Sequence, residues 1–228
     1  MPRFARNAPG GLIYHVLNRA AGRGTLFRND DEYAAFMRLF AELLEEVPIR
    51  VCGFCLMPNH WHLVLWPQKE GELAKFMQRL TITHVRRWIE DRGRRGRGSV
   101  YQGRYKSFPV QDDDHLRTVL RYVERNPLRA RMVKRSQAWR WSSLGQSQTP
   151  LGAEEGIARV PLSKWPVPRP RNWVDWVNRP QTPAEEEAIR RATTRGRPLG
   201  DPLWTRKTEA LLGLPPPRPQ GRPRKRET

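Results

Sequence analysis

Apolar residues recur along this chain with two periods, and the points where the period changes mark its elements. They alternate in places over residues 11–19, as along a half-buried strand. After a Gly/Arg turn, Tyr33, Phe36, Met37, Phe40, Leu43, Leu44 and Val47 fall at helical spacing, and Asn29 with Glu32 can form a capping box at the start of that helix. Residues 49–57 and 60–66 predict two strands joined into a hairpin by a Pro58-Asn59 turn. Leu73, Phe76, Met77, Leu80, Val85 and Trp88 trace a second helix, with Lys75, Arg79, Arg86 and Arg87 on its other positions. An Arg/Gly loop over 92–98 shows no periodicity. A short strand at 107–111 follows, then a third helix whose buried stripe is Leu116, Val119, Leu120 and Val123. The order βαββαβ predicts a ferredoxin-like antiparallel sheet with helices, an α+β fold.

From residue 146 onward the pattern weakens. Pro, Trp and Arg dominate 160–183, short helices are predicted at 183–195 and 203–214, and 215–228 is expected to be disordered by itself. Apolar residues concentrate before 145, so the expected organisation is one compact domain over 1–145 and a basic Pro/Arg-rich C-terminal extension over 146–228, poorer in core. Charge sharpens this picture: 42 Lys and Arg against 23 Asp and Glu give the 228 residues a net charge of +19 and a pI near 11.2. Such a balance calls for a polyanionic partner, and nucleic acid is the economical choice. No apolar run approaches the ~20 residues of a membrane span, and Met1-Pro2-Arg3-Phe4-Ala5-Arg6 lacks the apolar segment of a secretory signal. The expectation is a soluble, cytoplasmic, nucleoid-associated protein without a membrane partner.

Candidate chemistry begins at His60-Trp61-His62. Side chains alternate across a strand, so both imidazoles share one face while Trp61, Leu63 and Leu65 take the other. Two nitrogens so placed can hold a divalent metal and leave coordination positions open, or can simply be half-exposed histidines. On the third helix, Tyr122 and Asn126 are four residues apart and point to the same side, along with His115 and Thr118. Pro127 should end that helix just after Asn126. Singly, these two would read as a core-margin tyrosine and a C-terminal cap. Asp112, Asp113 and Asp114 suit capping of the same helix better than they suit a carboxylate metal nuclease. Cys52 and Cys55 with His60 match three ligands of a zinc knuckle, but the usual fourth position is Leu65, and His62 is on a strand too cramped to substitute. They read as reduced core cysteines.

Together, the two histidines, the Tyr-x-x-x-Asn helix and their order resemble the HUH single-tyrosine transposases, and within them the REP-associated tyrosine transposases. Tyr14-His15-Val16-Leu17-Asn18-Arg19, Met57-Pro58-Asn59-His60-Trp61-His62-Leu63, Gly103-Arg104-Tyr105-Lys106-Ser107, the run from Arg121 through Asn126-Pro127 to Ala130, and Trp139-Arg140-Trp141-Ser142-Ser143 carry the resemblance over about residues 10–145. It implies that His60, His62 and Asn126 hold Mg2+ or Mn2+. A site with two imidazoles leans toward manganese. It also implies that Tyr122 attacks a phosphodiester to leave a 5′-phosphotyrosine and a free 3′-hydroxyl, so that strands are nicked and rejoined without ATP. Tyr14, Tyr33, Tyr101 and Tyr105 are the rival nucleophiles; Tyr33 belongs to a core stripe, and none of the others has a helix partner like that of Tyr122.

The expected substrate is single-stranded or hairpin DNA of REP-like palindromic type, bound by a monomer or homodimer. Tyr101, Arg104, Tyr105 and Lys106 interleave aromatics with cations, which suits stacking on unpaired bases and phosphate contact, or equally an ordinary strand edge. Arg195-Gly196-Arg197-Pro198 and Gly221-Arg222-Pro223-Arg224 look like AT-hook cores, whose arginines enter a narrow minor groove, and a solvated basic tail is the competing reading. Two other functions fit the same scaffold: a DNA-binding regulator that does not cut, and an autonomous insertion-sequence transposase.

Overall fold

The computed structural model describes residues 7–93, 96, 98–150 and 156–216. Four strands, β1 (Ile13–Arg19), β2 (Arg50–Met57), β3 (His60–Trp66) and β4 (Lys106–Val110), pair antiparallel in the order β2-β3-β1-β4. With α1 (Asp30–Glu46) after β1 and α2 (Glu72–Asp91) after β3, this is the expected ferredoxin-like α+β arrangement. Asn29 caps α1 by accepting from the Glu32 N–H at 3.1 Å. Only half of the expected capping box forms, because the Glu32 carboxylate accepts from the Arg28 N–H at 2.7 Å instead of from Asn29.

The alternation along the strands sorts two cores. Tyr14, Val16, Phe54, Leu56, Trp61, Leu63 and Leu65 face α1 and α2. Ile13, Met57, Val64, Phe108 and Val110 face α3 (Asp114–Glu124) on the other side. Cys52 and Cys55, an odd spacing apart, both enter this second core because the β2–β3 register shifts between Val51 and Gly53. Both are free and buried, and among the described residues no group of three His, Cys, Asp or Glu is placed to hold a metal, so the zinc-knuckle alternative has no site. A side chain at Gly53 would meet Leu120 Cδ2 at 2.7 Å, so the glycine is what lets α3 lie this close to the bulge.

Asp113 caps α3 by accepting from the His115 N–H at 2.8 Å, the role expected of the aspartate run. The end of this helix differs from expectation. α3 stops at Glu124, Arg125 keeps near-helical angles (φ −84°, ψ −8°), and a new short helix, α4 (Asn126–Arg129), begins with Pro127 in its first turn. Proline removes one ladder hydrogen bond but suits the start of a helix, so the chain steps from one helix into the next without turning away.

The segment after 145 contributes to the core, contrary to the expectation of a core-poor extension. Beyond α5 (Ser143–Gln148), the helices α6 (Trp173–Asn178) and α7 (Pro183–Arg195) bury Trp173, Val177, Ile189 and Ala192 in the second core. The boundary at 145 therefore runs through a packed interior. Buried Glu124 is the pin: its carboxylate accepts from Ser143 Oγ at 2.7 Å and Trp173 Nε1 at 2.6 Å. Burial pushes its pKa up, and these two hydrogen bonds partly offset the rise. Arg121 adds three bonds, to the carbonyls of Trp176, Arg179 and Pro180. Both sheet edges are covered too, β2 by Trp141 and Ser163 and β4 by Leu199. α8 (Pro202–Leu211) follows, close to the predicted 203–214. None of the helices among the described residues is long and apolar enough to cross a membrane.

Candidate active site

β1 and β3 are adjacent, so the histidine face of β3 meets that of β1. His60 and His62 lie on one side of the sheet as expected, their ring centroids 5.0 Å apart and nearly perpendicular. Beside them is a third histidine that the sequence reading did not place in the site: His15 stacks on His62 at 5.0 Å and 13°, with His15 Nε2 2.9 Å from His62 Nδ1. His60 Nδ1 is 2.6 Å from Asn59 Oδ1. An amide oxygen only accepts, so His60 carries its proton on Nδ1 and keeps Nε2 as a lone pair. If His62 likewise donates from Nδ1 to His15, its Nε2 is also a lone pair.

Burial holds all three rings neutral. The pKa of His60 is lowered to about 4 by desolvation and by the nearby Arg19 and Arg129, while a side-chain interaction with Asn126 raises it. Desolvation first, then His15, His60 and the two arginines, takes His62 well below its usual value, and burial takes His15 to about 3. Neutral imidazoles are the form a metal ion takes.

Tyr122 reaches this cluster from α3, its ring 5.9 Å from that of His62 and nearly perpendicular to it. The near-continuous step from α3 to α4 keeps Asn126 on the same side. Arg129 ties the two together: one guanidinium nitrogen donates to Tyr122 Oη at 3.2 Å and to Asn126 Oδ1 at 3.2 Å, and the cation sits 4.6 Å from the phenol ring centroid. Asn126 is buried, with Oδ1 engaged by Arg129 and Nδ2 without a hydrogen-bond partner.

His60, His62, Tyr122 and Arg129 line a cavity of about 640 Å3, with His15 and Asn126 behind them. Arg19, Arg104, Lys106 and Arg190 also line it and no carboxylate does, so its field favours an anion. Tyr122 is the one tyrosine among the lining residues. Tyr14 donates to the Pro9 carbonyl at 3.1 Å, and Tyr33 stacks on Trp141 within the core.

Of the four residues of the aromatic and cationic strip, Arg104 and Lys106 line the cavity, and Tyr105 is partly buried against the first core. Tyr101 does not line it. It is 5 % exposed, accepts from Trp61 Nε1 at 2.9 Å and pairs with His84 Nδ1 at 2.6 Å, so its ring is part of the core and offers no face to a base. The AT-hook reading of 195–198 also meets a different structure. Arg195 ends α7, Gly196 is its left-handed cap (φ 62°), and Arg197 is bonded to Glu209 at 3.0 Å and to the Pro215 carbonyl. An arginine so engaged is a structural link between α7 and α8. Arg222 and Arg224 lie outside the described residues.

The sequence reading also missed Arg129, three positions beyond Asn126, and the α7 residues Arg190, Thr193 and Thr194 that close the cavity. Arg129 could have been found from its helical spacing to Tyr122. The α7 residues could not, since only tertiary packing brings them to β3.

No curated protein matches the chain. Among solved structures, a REP-associated tyrosine transposase bound to a REP hairpin is similar in fold, with 15% identity, a TM-score of 0.52, and coverage of 73% of this chain and 96% of that one. A protein of Deinococcus radiodurans R1 described as a transposase aligns at 16% identity and a TM-score of 0.39, covering 54% and 96%. The sequence profile described as "Transposase IS200 like" matches residues 10–126, which contain strands β1 to β4, both histidines of β3, Tyr122 and Asn126. The chain belongs to the IS200-like transposase family.

Proposed function

We propose that this transposase is a metal-dependent single-strand DNA endonuclease and strand transferase that uses Tyr122 as nucleophile and acts on hairpin DNA of REP type. The observation that carries the reading is that Tyr122, both β3 histidines and Arg129, which is bonded to Tyr122 and Asn126, open onto one cationic cavity. The residues fit a divalent ion of the Mg2+ or Mn2+ kind: His60 has an Nε2 lone pair, His62 can have one, and Asn126 Oδ1 keeps a second lone pair beside the one that accepts from Arg129. Bound by these three, such an ion supplies Lewis-acid polarisation of the scissile phosphodiester.

The chain's own groups do the rest. Tyr122 Oη attacks phosphorus, the P–O3′ bond breaks, and the phenol proton is balanced on the departing oxygen as a 3′-hydroxyl, leaving a 5′-phosphotyrosine. Arg129 orients the phenol by donating to Oη and offsets the negative charge that builds on the reacting oxygens. One phosphoester replaces another, so a second 3′-hydroxyl can attack the phosphotyrosine, release the phenol and join new ends. Arg19, Arg104 and Lys106 at the cavity wall suit the phosphates of a strand lying across it. The hairpin assignment rests on the REP hairpin held by the structurally similar transposase.

The test is incubation with hairpin oligonucleotides that carry single-stranded flanks, with Mn2+ or Mg2+. Wild type should form a covalent protein–DNA adduct, and Tyr122→Phe should form none while still binding the hairpin. Adduct in the mutant, or cleavage by wild type in excess chelator, would sink the reading; binding without cleavage under any metal would favour a non-cutting regulator.

A further inference from the structure

Part of the wall of the cavity comes from α7. Arg190, Thr193 and Thr194 stand at i, i+3 and i+4, on one helix face, and all three line the cavity that holds Tyr122. The helix that presents them is well anchored. Thr182 and Glu185 form a full capping box, Ile189 and Ala192 are buried in the second core, and Glu185 lies 3.7 Å from Arg121 of α3. One turn before Arg190 on the same face is Glu186. Its carboxylate pairs with Arg190 at 2.6 Å and lies 3.6 Å from Arg129, the residue bonded to the Tyr122 hydroxyl. One carboxylate therefore serves two cavity arginines, and it is 18% exposed while Arg190 is 55% exposed.

A phosphodiester carries the same single negative charge as that carboxylate and presents oxygens that a guanidinium and two hydroxyls can bind. We infer that Arg190, Thr193 and Thr194 form a backbone-phosphate subsite for the DNA strand, and that Glu186 is a built-in counter-ion which the incoming phosphate displaces. The subsite is the contribution of the C-terminal segment to substrate binding, and it rests on the reading of the cavity as a DNA site. Free of DNA, Glu186 limits the repulsion between Arg129 and Arg190 and keeps Arg129 turned to the phenol. With DNA bound, the phosphate takes over that neutralisation, so exchange of one anion for another sets the strand beside Tyr122.

The experiment measures binding of a fluorescent single-stranded oligonucleotide over a salt series, without metal, in a Tyr122→Phe background so that no covalent step intervenes. Arg190→Ala should weaken binding several-fold and make the salt slope shallower by about 0.7, the value for one lost phosphate contact on a single strand. Thr193→Val with Thr194→Val should weaken binding with no change of slope, since hydroxyls release no counterion. Glu186→Gln should tighten binding. An unchanged affinity and slope in Arg190→Ala, or weaker binding in Glu186→Gln at an unaltered melting temperature, would overturn the subsite. Failure of the parent to bind any single strand would overturn the DNA reading with it. Absence of adduct from the Tyr122-containing protein, with the Arg190 and Glu186 effects intact, would count against cleavage alone and leave the subsite standing.

Discussion

His15 Nε2 lies 2.9 Å from His62 Nδ1, with the two rings stacked across adjacent strands. His15 is thus positioned to accept the Nδ1 proton of His62 and so keep its Nε2 lone pair for a ligand. Partners of this kind fix the tautomer and ring orientation of a metal-binding histidine. His15→Phe keeps the volume and removes the acceptor. We expect it to weaken Mn2+ binding by roughly 10- to 100-fold, the usual cost of losing such a partner, with adduct formation recovering at high metal. Titration calorimetry of the variant against wild type checks this, and equal affinities would refute the role.

His84 provides a pH test away from the cavity. Burial lowers its pKa to about 3, and its Nδ1 pairs with the Tyr101 hydroxyl. In the unfolded chain it titrates near its ordinary value of about 6.5. Between those two values the unfolded state holds a proton that the folded state refuses, so stability from this residue falls as pH drops, by up to about 1.4 kcal/mol per unit. Urea denaturation of wild type and His84→Gln at pH 7 and pH 5 should show a smaller acid loss in the variant. Parallel losses would mean that His84 is not held neutral.

Trp173 tests whether the C-terminal segment belongs to the core. It fills the second core and donates to the buried Glu124 carboxylate at 2.6 Å. Trp173→Ala should cost about 3–5 kcal/mol, the range for deleting a buried aromatic, and Trp173→Phe less. Truncation after residue 145 strips the second core of Trp173, Val177, Ile189 and Ala192 and should give an aggregating or unfolded product. A truncated protein melting like full length would restore the boundary at 145.

The cysteines should prove to be packing residues. Cys52→Ala with Cys55→Ala removes two buried sulfurs and should lower the unfolding free energy by about 1–3 kcal/mol. Adduct yield at a temperature where both proteins are folded should be unchanged, and elemental analysis should find no zinc lost.

What the residues determined by themselves was everything carried by short-range periodicity. Alternation over 60–66 put His60 and His62 on one face opposite Trp61, helical spacing put Tyr122 and Asn126 on one side, and Asp113 announced the start of α3. Such patterns follow from the local geometry of strand and helix, which every residue in the segment shares. Tertiary structure alone decided which faces met. The β1–β3 pairing brought His15 to His62, and a bulge at Gly53 sent both cysteines the same way. Tyr101, whose neighbours read as a nucleic-acid strip, went into the core because Trp61 and His84 were there to satisfy its hydroxyl. The Pro- and Arg-rich segment after 145 looked poor in core because its buried residues are sparse and widely spaced. They gain their apolar contacts from α3 and the sheet, distant segments of the chain, and no local pattern can record a partner at that distance.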